Sequence, residues 1–357
     1  MLESCQVALC ERYDLAMLDL DGVIYIGAEA VEGAPAHLKR AEDAGMHLAY
    51  VTNNASRPPA SVAEHLRDLG IPAADGDVVT SAQAAARLVA KTVPPGSTVF
   101  VIVGEGLFEA LAEHELNAVQ TVEEQPQAVV SGYHPDLLWK TVITGAILVA
   151  RGLPWVASNR DMTIPTADGV GPGNGVLVQA VAGFAGREPT VAGKPQPALF
   201  AETQLRVGGK QPLVVGDRLD TDIEGAVNAG LDSLLVMTGV TGVSELVLAD
   251  SRHRPTYISA DLSGLCDAQP VSELRDGHLS LGGWRSTVTG DHLDLDGDGS
   301  VDDWWRLVAT TSWTHLDATG RPVDTSRLLR PGSVTPDHGE TKDHHVEEDG
   351  DRDDRAR

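Results

Sequence analysis

The chain has 357 residues, of which 42% are hydrophobic and 4% aromatic, and its formal net charge at pH 7 is -25. This length allows two or three domains, each with a real hydrophobic core. The excess of acidic residues argues against a general nucleic-acid partner or an anionic-membrane surface, because the phosphate groups would be repelled.

The three cysteines, Cys5, Cys10 and Cys266, show neither the spacing of metal ligands nor a disulfide framework. We expect them to be reduced thiols in a cytoplasmic protein. Residues 1–14 lack the basic and apolar regions of a signal peptide. No run of about 18 apolar residues is present, so the sequence predicts no membrane span.

The first informative stretch is the apolar run 15–18, which ends in Asp19 and Asp21 and is followed by Gly22. Such a run, without a helical period, predicts a buried strand with acidic groups at its carboxyl end. Side chains two residues apart share one face of a strand, so both carboxylates can reach one site. They would repel each other, and a divalent cation would relieve the repulsion. A polar turn after a strand is the alternative.

Short apolar strands then alternate with alanine-rich helices. The pattern predicts helices over 31–44, 58–69 and 80–91 and a second strand over 47–51, which ends in Thr52-Asn53-Asn54. A second α/β series follows the Pro-Pro-Gly break at 94–96. Its predicted strands are 98–103, 128–130 and 155–157, and its predicted helices are 137–151 and 176–184.

The Gly/Pro-rich segment 169–175 fails the dinucleotide pattern G-x-G-x-x-G in every register. We interpret it as a tight turn before a helix. The first pattern then resumes with a short strand-like segment over 190–193, which leads into Lys194. A buried strand over 213–215 follows and leads to Asp217 and Asp222. A helix over 223–229 and a strand over 233–237 complete this part.

Reactive side chains therefore follow four predicted strands, and the carboxyl ends of parallel strands meet at one edge of a sheet. These side chains are Asp19, Asp21, Thr52, Asn53, Lys194, Asp217 and Asp222. Carboxylates from two strands can hold Mg²⁺, which favours oxygen ligands. A hydroxyl group and backbone amides can hold phosphate oxygens, and a lysine adds positive charge beside them. One carboxylate is then free to attack phosphorus.

On these residues the chain resembles the haloacid dehalogenase-like (HAD) phosphatases, over roughly residues 14–260. The four motifs occur in the family's order as Asp19-Leu20-Asp21-Gly22-Val23, Val51-Thr52-Asn53-Asn54, Gly193-Lys194-Pro195 and Gly216-Asp217-Arg218-Leu219-Asp220-Thr221-Asp222. The sequences of segments 51–57 and 216–225 are similar to those of the NagD-like, 4-nitrophenylphosphatase-like branch. Within this branch the chain looks most like the actinobacterial glycerol-3-phosphate phosphatases.

The resemblance implies a role for each motif residue. Asp19 would be the nucleophile, and Asp21 would protonate the leaving alkoxide and later activate water. Asp19 and Asp217 would ligate Mg²⁺ by their side chains and Asp21 by its backbone carbonyl. Asp222 would lie behind these direct ligands or bind the ion through a water molecule. The residues expected to bind the phosphoryl group or substrate are Thr52, Asn53, Asn54 and Lys194.

The resemblance also implies a doubly wound, Rossmann-like parallel-sheet core with a large inserted α/β cap of the C2 type. We expect the core to span 1–80 and 190–267 and the cap 81–189, because too few residues separate Asp21 from Thr52 to form a domain. A homodimer formed through the cap is a further expectation. Residues expected in the specificity loop of the cap are Asn159, Arg160, Asp161 and Ile164.

Two of these loop residues carry more specific expectations. Pyridoxal-phosphate phosphatases of this branch have a histidine where this loop has Ile164, which counts against that substrate. Arg160 is expected to meet a substrate anion or hydroxyl groups, or else to form a salt bridge within the cap.

Beyond residue 267 the strand–helix rhythm weakens and tryptophans cluster. We expect a small separate α/β appendage over 271–330 and a disordered acidic tail over 331–357, because the tail has almost no apolar residues. The segment Asp294–Asp302 partly matches an EF-hand loop, but loop position twelve is Trp305 rather than glutamate. A Gly/Asp-rich hairpin turn is therefore favoured over a calcium site.

The expected function is Mg²⁺-dependent hydrolysis of a small phosphate ester through a phospho-aspartate, with glycerol 3-phosphate or 2-phosphoglycolate favoured. A nucleotide or sugar monophosphate is the alternative substrate. In a different class, the protein is a regulatory or binding protein whose C-terminal appendage senses a ligand or a partner.

Overall fold

The computed structural model describes residues 1–102, 105–166, 169–275, 277–329 and 331. The first part of the chain forms half of a parallel sheet, with helices and one small antiparallel ribbon of β2 and β3 between its strands. Its elements are α1 (Leu9–Arg12), β1 (Leu15–Leu18), β2 (Tyr25–Ile26), β3 (Glu29–Ala30), α2 (Ala34–Asp43), β4 (His47–Thr52), α3 (Pro59–Asp68) and β5 (Val78–Thr80).

An inserted unit follows, built on a second sheet. Its elements are α4 (Ser81–Ala90), β6 (Thr98–Ile102), α5 (Glu105–Ala112), β7 (Asn117–Val119), β8 (Ala128–Ser131), α6 (Trp139–Ala150), β9 (Trp155–Ala157), β10 (Thr163–Thr166), β11 (Gly169–Pro172), α7 (Asn174–Ala185) and β12 (Thr190–Val191). The second sheet has the order β12-β9-β8-β6-β7, and its neighbouring strands are parallel.

Two expectations about this unit need correction. The segment 169–175 is not simply a tight turn, because β11 pairs with β10 as an antiparallel ribbon before α7 begins. The boundary expected at 189 also falls too early, because Thr190 and Val191 pair with Val156 and Ala157 of the second sheet.

The chain then returns to the first sheet through α8 (Ala198–Val207), β13 (Pro212–Gly216), α9 (Glu224–Ala229), β14 (Asp232–Val236), α10 (Val243–Leu248) and β15 (Tyr257–Ser259). The complete first sheet has the order β15-β14-β13-β1-β4-β5, with parallel neighbours throughout. The chain adds strands first on one side of β1 and later on the other. The switch point, where α/β sheets of this kind bind ligands, therefore lies beside β1.

Side chains of β1 alternate between two hydrophobic clusters, as the pleat of a strand requires. Ala16 and Leu18 enter one cluster, and Leu15 and Met17 enter the other. All four side chains are fully buried, so both faces of the sheet are covered. This confirms the expected doubly wound α/β core.

The C-terminal unit is an antiparallel sheet with one long helix. Its elements are β16 (Glu273–Arg275), β17 (His278–Leu281), β18 (Trp284–Thr289), β19 (His292–Gly297) and α11 (Val301–Thr319). The strands pair in chain order. Ser300 caps α11, since its hydroxyl oxygen accepts a hydrogen bond from the Asp303 amide at 3.1 Å.

This unit is not separate from the core, which corrects the expected appendage. Trp304 and Trp313 of α11 share one buried cluster with Leu235 of β14 and Ile258 of β15. Arg306 is also buried and donates to the Ile258 carbonyl at 3.0 Å. The helix therefore completes the core on the side of β14 and β15.

The EF-hand-like segment connects a strand to a helix, so the expected hairpin turn is corrected. Residues 294–297 lie in β19, and α11 begins at Val301. Asp302 accepts hydrogen bonds from the Ser259 hydroxyl and the Ala260 amide, at 2.9 and 2.6 Å.

The expected tail over 331–357 lies outside the described residues except for Pro331. Within the described part of the chain, no helix is long and apolar enough to cross a membrane.

Candidate active site

Three carboxylates meet at the carboxyl edge of the first sheet. Asp19 follows β1, and its amide donates to the Val215 carbonyl of β13 at 2.9 Å, which ties the two strand ends together. Asp217 follows β13, and Asp222 lies in the wide helical turn before α9. One oxygen from each carboxylate lies within 4.8 Å of the other two, which is the only such group of potential metal ligands among the described residues.

Lys194 lies between two of these carboxylates. Its Nζ donates to Asp19 Oδ1 at 2.6 Å and to Asp222 Oδ1 at 2.7 Å. The lysine side chain is 4% exposed and that of Asp222 is 1% exposed. Burial lowers the pKa of Lys194, but the two carboxylates outweigh burial and hold this pKa above its ordinary value. The lysine therefore stays charged inside the site.

Asp217 is fully buried and incompletely paired. Its Oδ2 accepts from the Val240 amide at 2.7 Å, whereas its Oδ1 has no hydrogen-bond partner among the described residues. Burial, together with the charges of Asp222 and Asp19, raises the pKa of the Asp217 carboxyl. One lysine cannot compensate three acidic groups, so this orphaned oxygen fits a site for a divalent cation.

The backbone approaches Asp217 closely at Gly22. A Cβ atom at this position would lie 2.5 Å from Asp217 Oδ2, and Gly22 has a φ of +82°. Both facts require glycine in the turn after Asp21.

Asp21 stands apart from the buried group and is exposed to solvent. Protein atoms nonetheless surround much of its carboxyl group. Desolvation, and then the neighbouring charge of Asp19, raises the pKa of Asp21 to about 6. A carboxyl group with this pKa can donate or accept a proton near neutral pH.

The turn after β4 brings polar groups to the same edge. Thr52 is buried, and its hydroxyl oxygen accepts from the Asn54 amide at 3.1 Å. The Asn54 side chain accepts from the amide and hydroxyl of Ser56, at 2.8 and 2.7 Å. In this structure the side chain of Asn54 therefore stabilises its own turn.

The expected specificity loop divides into two parts. The buried Asn159 donates to the Asn53 carbonyl at 2.7 Å, and Asp161 accepts from the Asn53 side chain at 3.0 Å. Arg160 instead forms an ion pair with Glu188 of the inserted unit, which is the salt bridge given as its alternative. Ile164 lies in β10, opposite Gly171.

The sequence did not indicate several contacts at this edge. The side chain of Asn53 binds the backbone of Lys194, Ser81 donates to the Asn53 carbonyl at 2.5 Å, and Asn174 donates to the Asn159 carbonyl at 2.7 Å. These partners come from distant segments of the chain. No local pattern could have identified them.

Comparison with known proteins gives a consistent result. The family profile described as haloacid dehalogenase-like hydrolase matches residues 16–117, and a HAD-hydrolase-like profile matches residues 191–265. A D-glycerol 3-phosphate phosphatase from Mycobacterium tuberculosis is 40% identical over 296 residues, which are 83% of this chain and 82% of that protein. A 5'-nucleotidase from Bacillus subtilis is 35% identical over 250 residues, covering 69% and 95%.

Solved structures extend this similarity to the fold. The glycerol phosphate phosphatase of M. tuberculosis in complex with magnesium superposes with a TM-score of 0.80 at 38% identity, covering 89% of this chain and 94% of that one. A thermostable NPPase from Geobacillus stearothermophilus gives 0.64 at 30% identity, covering 70% and 97%.

Proposed function

Because the chain belongs to the haloacid dehalogenase-like hydrolase family, we propose that it hydrolyses glycerol 3-phosphate with Asp19 as the nucleophile. The protein is a phosphatase that acts on small phosphate esters. The observation that carries the residue assignment is the cluster of Asp19, Asp217 and Asp222 around the buried Lys194.

In the first step, the Asp19 carboxylate attacks phosphorus, and the bond from phosphorus to the ester oxygen breaks. The leaving alkoxide takes a proton from Asp21. In the second step, Asp21 removes a proton from water, which attacks phosphorus and releases phosphate and Asp19. The pKa of Asp21, about 6, supports this exchange because the group can change its protonation state near neutral pH.

The phosphoryl group would be held by Lys194, by the Thr52 hydroxyl and by the backbone amide of Asn53. Lys194 is already positioned beside Asp19 at 2.6 Å. Its charge offsets the repulsion between an anionic nucleophile and an anionic ester. Asn54 is retained as a substrate-contact candidate through its backbone, since its side chain is engaged with Ser56.

The proposed cofactor is Mg²⁺, held by the carboxylates of Asp19 and Asp217 and the backbone carbonyl of Asp21. Asp222 would support it from the Lys194 side. The unpartnered Asp217 Oδ1 supports this assignment. When bound, the ion supplies positive charge that stabilises the phosphate oxygens in the transition state. The Gly22 turn keeps side-chain atoms away from Asp217.

We further propose that the unit built on the second sheet acts as a cap and that it mediates a homodimer. Its helices α6 and α7 expose Trp139, Ile143 and Phe184, which are 66%, 47% and 66% accessible. Neither helix contains an acidic residue, in a chain of net charge -25. Acidic groups of α6 and α7 would therefore not repel a second copy at this surface. The free, buried thiols support the proposed cytoplasmic location.

A phosphate-release panel tests the function. The panel contains glycerol 3-phosphate, 2-phosphoglycolate, nucleoside monophosphates and sugar phosphates. We expect glycerol 3-phosphate to give the highest kcat/KM of these substrates. EDTA should abolish release, and added Mg²⁺ should restore it. A preference for a nucleoside or sugar monophosphate would favour the alternative substrate class, and full activity in EDTA would overturn the metal assignment.

A further inference from the structure

The side chain of Asn53 brackets the backbone of Lys194. Its Oδ1 accepts from the Lys194 amide at 2.7 Å, and its Nδ2 donates to the Lys194 carbonyl at 3.1 Å. A Cβ atom at Gly193 would lie 2.5 Å from the same Oδ1, so the two segments approach as closely as glycine allows. Asn53 therefore holds the backbone from which the Lys194 side chain reaches between Asp19 and Asp222.

Residues of the cap hold Asn53 in turn. Asn159 Nδ2 donates to the Asn53 carbonyl at 2.7 Å, and Asp161 Oδ1 accepts from Asn53 Nδ2 at 3.0 Å. Asn159 Oδ1 accepts from the Asp161 amide at 3.1 Å, and Asn174 donates to the Asn159 carbonyl at 2.7 Å. The loop is thus held together by its own hydrogen bonds, and it contacts the first sheet through Asn53.

This arrangement leaves Asn159 little capacity to contact a substrate. The residue is 5% exposed, and both polar atoms of its side chain are used within the protein. Both Nδ2 hydrogens of Asn53 are also used, one for Asp161 and one for Lys194. The intervening Arg160 points to Glu188 instead.

We propose that Asn159 and Asp161 are positioning residues, which act through Asn53 to hold Lys194 in its catalytic place. They couple the seating of the cap to the geometry of phosphoryl transfer, rather than selecting the alcohol part of the ester. This inference rests on the proposed function, because it requires Lys194 to act on the phosphoryl group.

The test uses the full-length protein with Mg²⁺ and two esters, glycerol 3-phosphate and 4-nitrophenyl phosphate. Asn159→Asp replaces a donor with an acceptor of the same shape, and Asp161→Ala removes the acceptor for Asn53. We expect each to lower kcat about tenfold or more, because small misplacements of catalytic groups are costly. The factor should be equal for both esters, with KM changed less than about threefold.

Two further variants separate positioning from a general loss of structure. Asp161→Asn keeps an acceptor oxygen for Asn53 and should stay within about threefold of wild-type kcat. Arg160→Ala, in the same loop, should stay within about twofold. Thermal unfolding of every variant provides the folding control. If Asn159→Asp does not fold, the contrast between Asp161→Ala and Asp161→Asn decides.

The outcomes separate the two proposals. A loss confined to one ester, a change in KM alone, or wild-type kcat in both Asn159→Asp and Asp161→Ala would overturn the positioning role. So would an Asp161→Asn variant as impaired as Asp161→Ala. If the wild type released phosphate from neither ester, the proposed function would fall, and this inference with it.

Discussion

Lys194 is a buried cation with two acidic partners, Asp19 and Asp222. Its ammonium group lies 2.6 Å from Asp19 Oδ1 and 2.7 Å from Asp222 Oδ1. A buried charge that loses all its partners is strongly destabilising, whereas one remaining partner still compensates it. A single neutral substitution at Asp19 should therefore leave the fold intact, so that its effect on chemistry can be measured.

Asp19→Asn should reduce phosphate release at least about 1,000-fold, because an amide does not replace the attacking carboxylate. The measurement is kcat for glycerol 3-phosphate and 4-nitrophenyl phosphate, with circular dichroism to check the fold. Asp220→Asn is the matched control, because Asp220 is an exposed acid paired with Arg218 near the same edge. Undiminished hydrolysis by Asp19→Asn would contradict the assignment of Asp19 as the nucleophile.

Asp21→Asn should slow the two esters unequally. A glycerol alkoxide is a poor leaving group that needs a proton, whereas 4-nitrophenolate departs without one. We expect the loss in kcat to be about 10- to 100-fold larger for glycerol 3-phosphate than for 4-nitrophenyl phosphate. Equal slowing of both esters would remove Asp21 from the acid role.

At the residue scale, the sequence predicted that the charged groups of the candidate active site lie together at one edge, but it did not predict which residues support them. Asp19, Asp217 and Asp222 follow the buried strands β1 and β13, and such strands have a recognisable pattern. The bonds from Asn53 to residues more than a hundred positions away have no local signal. Polar contacts between distant loops depend on the tertiary fold, which single-sequence patterns do not encode.

At the scale of elements, apolar runs predicted the buried strands β1, β4 and β13, whereas the short buried strands β5 and β15 were not predicted. The ribbon of β10 and β11 was not predicted either. Its residues are largely exposed and rich in glycine and proline, so the sequence favoured a turn. The packing of α11 against the core was not predicted for a different reason. A cluster of tryptophans indicates that a segment is buried, but it does not indicate which elements cover it.

Trp304→Ala in α11 should destabilise the protein by about 3–5 kcal/mol, since the side chain is fully buried and packs edge-on against Trp305. Urea unfolding followed by fluorescence or circular dichroism would measure this change. Leu274→Ala in β16 is the control. That leucine is 73% exposed, and its removal should cost less than about 0.5 kcal/mol. If Trp304→Ala lowered the free energy of unfolding by less than about 1 kcal/mol, this result would contradict the packing of α11 into one core with β14 and β15.

At the scale of the whole molecule, the units are joined by continuous packing. Leu15 and Met17 of the first sheet share a hydrophobic cluster with Val99 and Val101 of the second sheet. On the other side, the cluster around α11 joins the first sheet to the C-terminal unit. A fragment ending near residue 268 would expose this cluster, so point substitutions are the better probe of what the C-terminal unit does.

The proposed dimer predicts a mass of twice 37.7 kDa in solution. Trp139→Glu combined with Ile143→Glu should halve it, because charged side chains would be buried in an apolar contact. Sedimentation velocity would show the change. Leu205→Glu, at a leucine of α8 that is 67% exposed, is the control and should remain dimeric. A monomeric wild type would overturn the proposal.

The order of the strands also bears on how the protein emerges from the ribosome. Leu18 pairs with Val215, about 200 residues later in the chain. At typical rates of translation, the central strand therefore waits about 10–40 s for that neighbour. The apolar side of β14 and β15 stays uncovered until α11, residues 301–319, has been synthesised. The nascent chain should depend on chaperones, and cooler or slower expression should raise the yield of folded protein.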